Sequence, residues 1–157
     1  MATWADLEVG DAEIADAGRR LLFHPGFGFG YLATVRADGG PRLHPVNPII
    51  AAGRLWVFVV PSPKLEDLRR DGRYALHSTG AADVDDEFYL DGRARVVDAA
   101  AARSAAEAAC HFPVPAHHVL VELDLEHALW AHYASPPRFP PDYHRWAALL
   151  SGTGPPT

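Results

Sequence analysis

The residues best placed to do chemistry lie at Ser62-Pro63-Lys64, where a hydrophobic strand pattern gives way to a short helical one. A helix N-terminus carries free backbone N–H groups and about half a positive charge, so a lysine in the first turn is disfavoured by roughly 0.3–1 kcal/mol. A bound anion reverses that sign. The helix amides, the Ser62 hydroxyl and the Lys64 ammonium would then converge on one phosphate. The alternative is a surface lysine that points into water.

A second group of candidates lies on the preceding strand. Arg42, His44 and Val46 are two residues apart, so their side chains share one face of the strand. An arginine fork on that face could pair with a second anionic group or with the polar edge of a ring, and an exposed arginine at a sheet rim is the alternative. Pro45 and Pro48 favour edge-strand or bulged geometry, which leaves backbone groups free for a ligand.

Other chemistries find little support in the sequence. His127 and His132 do not match the HExxH pattern, so no metal site is predicted. Cys110 lies in an alanine-rich helix pattern, where a buried inert thiol is expected, and no GxSxG elbow is present. Residues 83–87 read as a solvated acidic loop, and the GxGxG at 26–30 follows a helix and precedes a strand, which favours a packing role. A phosphate cradle without a nucleophile indicates that a cofactor supplies the chemistry.

Length and charge limit the class of protein. The chain has 157 residues, and its 14 basic residues, of which only Lys64 is a lysine, stand against 20 acidic ones, for a net charge of −6. A net acidic domain is a poor nucleic-acid binder, and one cysteine excludes a disulfide framework. No apolar run reaches the ~18 residues of a membrane span, and the N-terminus is acidic where a signal peptide is basic. We therefore expect a soluble, cytoplasmic, single-domain protein without membrane contact.

The elements that must position these residues are mainly strands. The pattern predicts a mainly β (α+β) domain, a small antiparallel barrel of about six strands with peripheral helices. A helical region is expected over 1–19, a core over about 20–125, and an irregular proline-rich arm over 126–157. The first predicted helix begins at Asp11, and two further helices are predicted over 62–72 and 99–110. The predicted strands are 28–37, 42–51, 54–61, 74–77, 87–98 and 117–125.

The order of these segments resembles a known family. GYLATVRADGGPRLHPV, RLWVFVVPSPKLEDLRRDGRYALHS and EFYLDGRARVV resemble the pyridoxamine 5'-phosphate oxidase-like split-barrel flavoproteins over roughly residues 20–125. The resemblance implies a homodimer of six-stranded antiparallel split β-barrels, with two FMN sites in the grooves between the subunits. Its most specific part is the strand–SPK–helix–strand unit, which is similar to the family's phosphate-binding segment.

The resemblance also implies roles for single residues. Arg42 matches the family's basic residue on the second strand, and Ser62 and Lys64 match its phosphate segment. Glu87 falls near a position where the family's oxidases place a glutamine on the flavin, and an ionised carboxylate cannot donate that hydrogen bond. The backbone of six further residues would run along the flavin ring: His44, Val46, Asn47, Val57, Phe58 and Val59.

The function that follows is an FMN-dependent oxidoreductase acting on a small molecule, with hydride transfer at the flavin N5 atom. The proline-rich tail does not match the substrate-binding pattern of the pyridoxamine-phosphate oxidases, so that activity is not predicted. A deazaflavin coenzyme in the same groove is the first alternative, and an arginine-rich, lysine-poor composition suits the actinobacterial relatives that use one. Haem binding, a flavin carrier without turnover and a dimeric scaffold without cofactor are further alternatives.

Overall fold

The computed structural model describes residues 1–80, 83, 85–134 and 136–149, and within them the centre of the protein is one antiparallel sheet. Its strands are β1 (Gly30–Val35), β2 (Pro41–Val46), β3 (Ile49–Ala51), β4 (Arg54–Val59), β5 (Arg73–Ser78), β6 (Glu87–Val96), β7 (Val119–His132) and β8 (Asp142–Ala147). Neighbouring strands follow the order β2-β1-β5-β6-β7-β4-β3, and β8 pairs with the second half of β7. This order leaves β2 and β3 at the two ends of the path.

Four helices are described: α1 (Trp4–Gly10), α2 (Ala12–Leu22), α3 (Pro63–Arg70) and α4 (Ala100–Ala108). Asp11 caps α2 as predicted, since its carboxylate accepts from the Ile14 amide at 3.1 Å. The sequence reading did not identify α1 as a separate helix, although Thr3 and Asp6 form a reciprocal capping box at its start. In the described residues no helix is long and apolar enough to cross a membrane.

Successive side chains of β4 point alternately into two hydrophobic clusters. Val57 and Val59 point into the main core between the sheet and the helices, where they are essentially fully buried. Trp56 and Phe58 point to the opposite face, where they join a smaller cluster beneath α4 with Ala106. Both faces of β4 are therefore covered, which accounts for the continuous bulky sequence of this strand.

Glycines occupy the tight turns and the bulge of the sheet. Gly39 and Gly53 have φ values of +82° and +68°, in the turns between β1 and β2 and between β3 and β4. The register of β6 against β7 shifts between Asp91 and Gly92, which places a β-bulge there. A Cβ at position 92 would lie 2.0 Å from the Asp124 carbonyl oxygen, so only glycine fits this close approach.

The C-terminal region differs from the prediction of an irregular arm and a six-stranded sheet. β7 continues to His132 and β8 pairs with it in register. The predicted strand 42–51 also divides into β2 and β3, so the described sheet has eight strands. The long β6 provides the reason, because its first residues pair with β7 as far as Ala131 and extend the template beyond 125. The prolines concentrate in the connection between β7 and β8. At the other end of β7, His117 and His118 lie in the turn before the strand and not on it.

Candidate functional site

The site is built around the start of α3. Ser62 occupies the N-cap position with extended backbone and Pro63 the first helical position, as the sequence predicts. The Ser62 hydroxyl turns away and donates to the Val60 carbonyl oxygen at 2.8 Å, so it does not cap the helix. The expected convergence of this hydroxyl with Lys64 is therefore wrong. The backbone amides in the first turn of α3 therefore have no capping side chain.

Lys64 lies in this uncapped turn with its side chain half-buried. Among the described residues it forms no ion pair and no side-chain hydrogen bond. Burial lowers the pKa of the Lys64 ammonium. Removing a charge from water without a partner is costly, so this lysine is suited to receive an anion.

Asp67 on the next turn of α3 holds the basic residue that was expected to face the ligand. Its carboxylate is 3% exposed and accepts from Arg42 Nε at 2.7 Å and from Thr34 Oγ1 at 3.1 Å. Arg70 donates to its other oxygen at 3.1 Å. Burial alone would raise the pKa of Asp67, but these three donors together lower it. Arg42 is thus an anchored side chain and not the free fork that the strand pattern suggested.

His44 is the neighbour of Arg42 on the same face of β2. Its Nε2 atom is buried and has no hydrogen-bond partner in the described part of the chain. Burial, together with the charges of Lys64 and Arg42, lowers the pKa of His44, and Asp67 opposes that effect. The imidazole is therefore neutral at pH 7. Buried polar atoms rarely remain without a partner, and a water or a ligand atom would satisfy this nitrogen.

Four further residues were predicted to lie along the flavin ring with their backbone, and their side chains are engaged elsewhere. Val46, Val57 and Val59 have buried side chains, so only their backbone could face a ligand. The ring of Phe58 lies beneath the Arg103 guanidinium, 5.2 Å from it, and is partly buried below α4. These residues hold the strands that carry the site, and their side chains are not arranged around Lys64.

Asn47 and Glu87 also have other surroundings. The Asn47 amide donates to the Gly28 carbonyl at 2.8 Å, and a Cβ at position 28 would lie 1.8 Å from the Pro48 oxygen. This close contact confirms the packing role predicted for the glycine-rich segment. Glu87 begins β6 and lies near Tyr133, where burial and the charge of Glu87 raise the pKa of the phenol.

The larger cavities lie away from this cluster. One of about 590 Å³ is lined by Val9 of α1 and Trp146 of β8, and one of about 400 Å³ lies over β6, β7 and β8 beside Tyr89. A smaller one of about 120 Å³ touches Asn47 and Phe58. None of these three is lined by Lys64.

The structure contains two histidine–aspartate pairs that were not predicted from the sequence. His127 Nδ1 lies 2.8 Å from an Asp91 oxygen, and His132 Nδ1 lies 3.0 Å from an Asp86 oxygen. Glu126 brings a third possible metal ligand to the first pair, with the ligand atoms within 4.8 Å of one another. The sequence reading found no carboxylates near these histidines because the partners are 36 and 46 residues away.

Comparison with known proteins shows which solved structures share this fold. No protein-family model and no curated protein matches the chain. A solved structure of a heme binding protein from Mycobacterium smegmatis superposes with a TM-score of 0.63 and 18% identity, over 83% of this chain and 57% of that one. A NimC/NimA family protein from Clostridium acetobutylicum gives 0.62 and 15%, over 83% and 94%. An F420 reductase gives 0.56 and 18%, over 70% and 94%.

These likenesses show a shared fold. The chain has the split-barrel architecture found among flavin- and haem-binding proteins, an antiparallel sheet with four helices in the described residues. This confirms the expected mainly antiparallel β fold with peripheral helices, while the expected homodimer stays a prediction. At such low identity the likenesses carry no residue roles, so the chemistry depends on the site itself.

Proposed function

We propose that this protein binds a phosphate-bearing cofactor at Lys64, with FMN as the first candidate, and acts as an oxidoreductase on a small molecule. The observation that carries the proposal is a half-buried, unpaired lysine in an uncapped first helical turn. An F420 reductase among the proteins of this fold supports the oxidoreductase class.

The charges around the site fit a phosphate. Arg42 and Arg70 share the single carboxylate of Asp67, and Lys64 adds a further positive charge. A phosphate carries about −1.5 to −2 charges at pH 7 and has strong acceptor oxygens, so it would neutralise this surplus. The backbone amides of Lys64 and Leu65 lie in the first turn of α3, where helix amides lack an intrahelical acceptor and favour an anion.

In this proposal the protein contributes binding and positioning. When bound, the flavin supplies hydride transfer at its N5 atom. Lys64 and the first amides of α3 fix the phosphate, and Asp67 holds Arg42 beside it. Fixing one end of the cofactor in this way orients the remainder along the strands that precede α3.

We propose further that two copies of the chain form the working unit. β2 ends the sheet path of the described residues, so its outer edge is available to a second chain. Tyr31 on β1 and Leu43 on β2 are 43% and 63% exposed, and a second chain paired along this edge would cover them. Sedimentation of the purified protein should give a dimer, and a monomer that retains bound cofactor would contradict this part of the proposal.

Two alternatives share the fold. A deazaflavin coenzyme would use the same cluster, because its recognition also depends on phosphate. Haem binding would use another place: Asp86 fixes His132 through Nδ1, which leaves the opposite nitrogen available to a metal. The absorbance spectrum of the protein distinguishes flavin, deazaflavin and Soret bands.

The sharpest test replaces the lysine. Lys64→Ala should weaken FMN or deazaflavin binding by about 1.5–3 kcal/mol, or roughly 10- to 150-fold, because a charge-assisted hydrogen bond is lost. Fluorescence titration measures the affinity. Arg69→Ala is the matched control, since Arg69 is an exposed cation on the same helix and pairs with Glu66. Equal affinity in the Lys64→Ala and wild-type proteins would return Lys64 to the role of a surface lysine.

A further inference from the structure

We propose that His44 is the second side-chain ligand of the phosphate and that it binds as an imidazolium, so that binding of a phosphate monoester takes up one proton at this residue. This inference rests on the proposed function and adds the chemical class of the group bound at the site. It also predicts a pH dependence of affinity that Lys64 alone would not produce.

The position of His44 supports this role. Alternation along β2 places His44 on the same side as Arg42, whose guanidinium contacts Asp67 of α3. Its Nε2 atom is buried, and the described residues offer it no hydrogen-bond partner. Leaving such an atom unpaired destabilises the protein in the absence of a ligand, and an incoming acceptor oxygen would remove that cost.

The charges facing His44 explain why the proton arrives with the ligand. In the free protein burial disfavours the imidazolium most, and the charges of Lys64 on α3 and Arg42 on β2 disfavour it further. Asp67 is the one carboxylate that acts in the opposite direction, and its two oxygens already accept from Thr34, Arg42 and Arg70. A phosphate next to Lys64 would outweigh the two cations, and the pKa of His44 then rises.

The protonation selects among anions. A phosphate monoester approaches two negative charges at pH 7, whereas a phosphodiester or a carboxylate carries one. The gain from a second cation at His44 is therefore largest for the monoester. We expect FMN and inorganic phosphate to induce the proton uptake, and riboflavin, which lacks the phosphate, to leave His44 neutral.

The test follows His44 directly by NMR. The imidazole signal, assigned by its loss in His44→Gln, is titrated from pH 5 to 8 with and without inorganic phosphate. The titration midpoint should move to higher pH by about 1–3 pH units when phosphate is present. His117→Gln is the control, because His117 is exposed in the turn before β7 and should leave this movement unchanged.

Affinity provides the second measurement. Between pH 6 and 8 wild-type affinity for FMN should fall relative to that of His44→Gln by about tenfold, since only the wild type must take up the proton. The phosphate's own titration affects both proteins equally and cancels in this ratio.

The outcomes separate the two proposals. In one outcome, the ratio of the wild-type and His44→Gln affinities for FMN stays constant between pH 6 and 8 while Lys64→Ala still weakens FMN binding. That result would leave the proposed function standing and overturn the role of His44. If neither FMN nor a deazaflavin binds, the proposed function fails, and the NMR titration then decides. A phosphate-dependent midpoint supports a monoester site for another ligand, whereas an unchanged midpoint overturns the inference.

Discussion

Charged residues on the outer face of β7 and those at the start of α3 are treated differently by the fold. Glu122 is buried and is contacted by both Arg54 and Arg95, and Arg95 also reaches Asp124 at 3.2 Å. At α3, by contrast, Lys64 has no partner among the described residues. We call the first group the β7 ion-pair ladder. The difference indicates that the ladder holds strands together, while the α3 cluster is completed by a ligand.

Strand register explains the ladder. Arg95 lies directly opposite Glu122 on the neighbouring strand and also reaches Asp124. Arg93 on the same strand lies 3.6 Å from Glu126, so each acidic residue of β7 has a guanidinium from β6 beside it. The chain carries 20 acidic residues against 14 basic ones. The missing partner at Lys64 is therefore not caused by a shortage of carboxylates.

The largest expected effect is on stability and belongs to the ladder. Glu122→Ala should lower the free energy of unfolding by about 3 kcal/mol or more, because it leaves two arginines facing a buried position without their carboxylate. Urea denaturation measures this change. Glu126→Ala is the control, since Glu126 is half-exposed, lies 3.6 Å from Arg93 and should cost less than about 1 kcal/mol. Cofactor affinity should not change in either variant, and a loss of affinity in Glu122→Ala would break the distinction between the two regions.

The next effect belongs to the paired half of the α3 cluster. Asp67→Asn should cost about 1.5–3 kcal/mol, because Arg42 and Arg70 lose the charge that holds them. The folded protein has a lowered pKa at Asp67, so its stabilisation is complete above the ordinary value of 3.8 and is lost as pH falls through the lower folded value. Urea midpoints should therefore decline more steeply below pH 4 in the wild type than in the variant. Parallel declines would show that Asp67 does not link these arginines to the fold.

The smallest effect has the opposite sign. Lys64→Ala should raise the stability of the cofactor-free protein by about 0.3–1 kcal/mol, because it removes a cation from a helix N-terminus. The variant that binds cofactor worst would then be slightly more stable without it. Thermal unfolding of the cofactor-free proteins measures this, with Arg69→Ala expected to lower stability slightly at the other end of α3. A clear destabilisation by Lys64→Ala would place the lysine with the structural charges of the ladder.

The sequence by itself determined features that depend on neighbouring residues. Asp11 as a helix cap, Pro63 at the first position of α3, the glycine turns and the Gly92 bulge all follow from backbone preferences that act over a few residues. The position of Lys64 belongs here too, because a lysine directly after Ser-Pro at a helix start is visible without a structure.

Only the tertiary structure decided which charges meet. Arg42 and Asp67 are 25 residues apart, and nothing in the spacing of either shows that a strand and a helix bring them together. The same packing buries His44 Nε2 without a partner among the described residues and pairs β8 with β7. It also brings together the charged residues of the β7 ion-pair ladder. Local backbone preferences depend on residues that are close in the sequence. The pairing of charges depends on distances through space, and these are set only when the sheet packs against its helices.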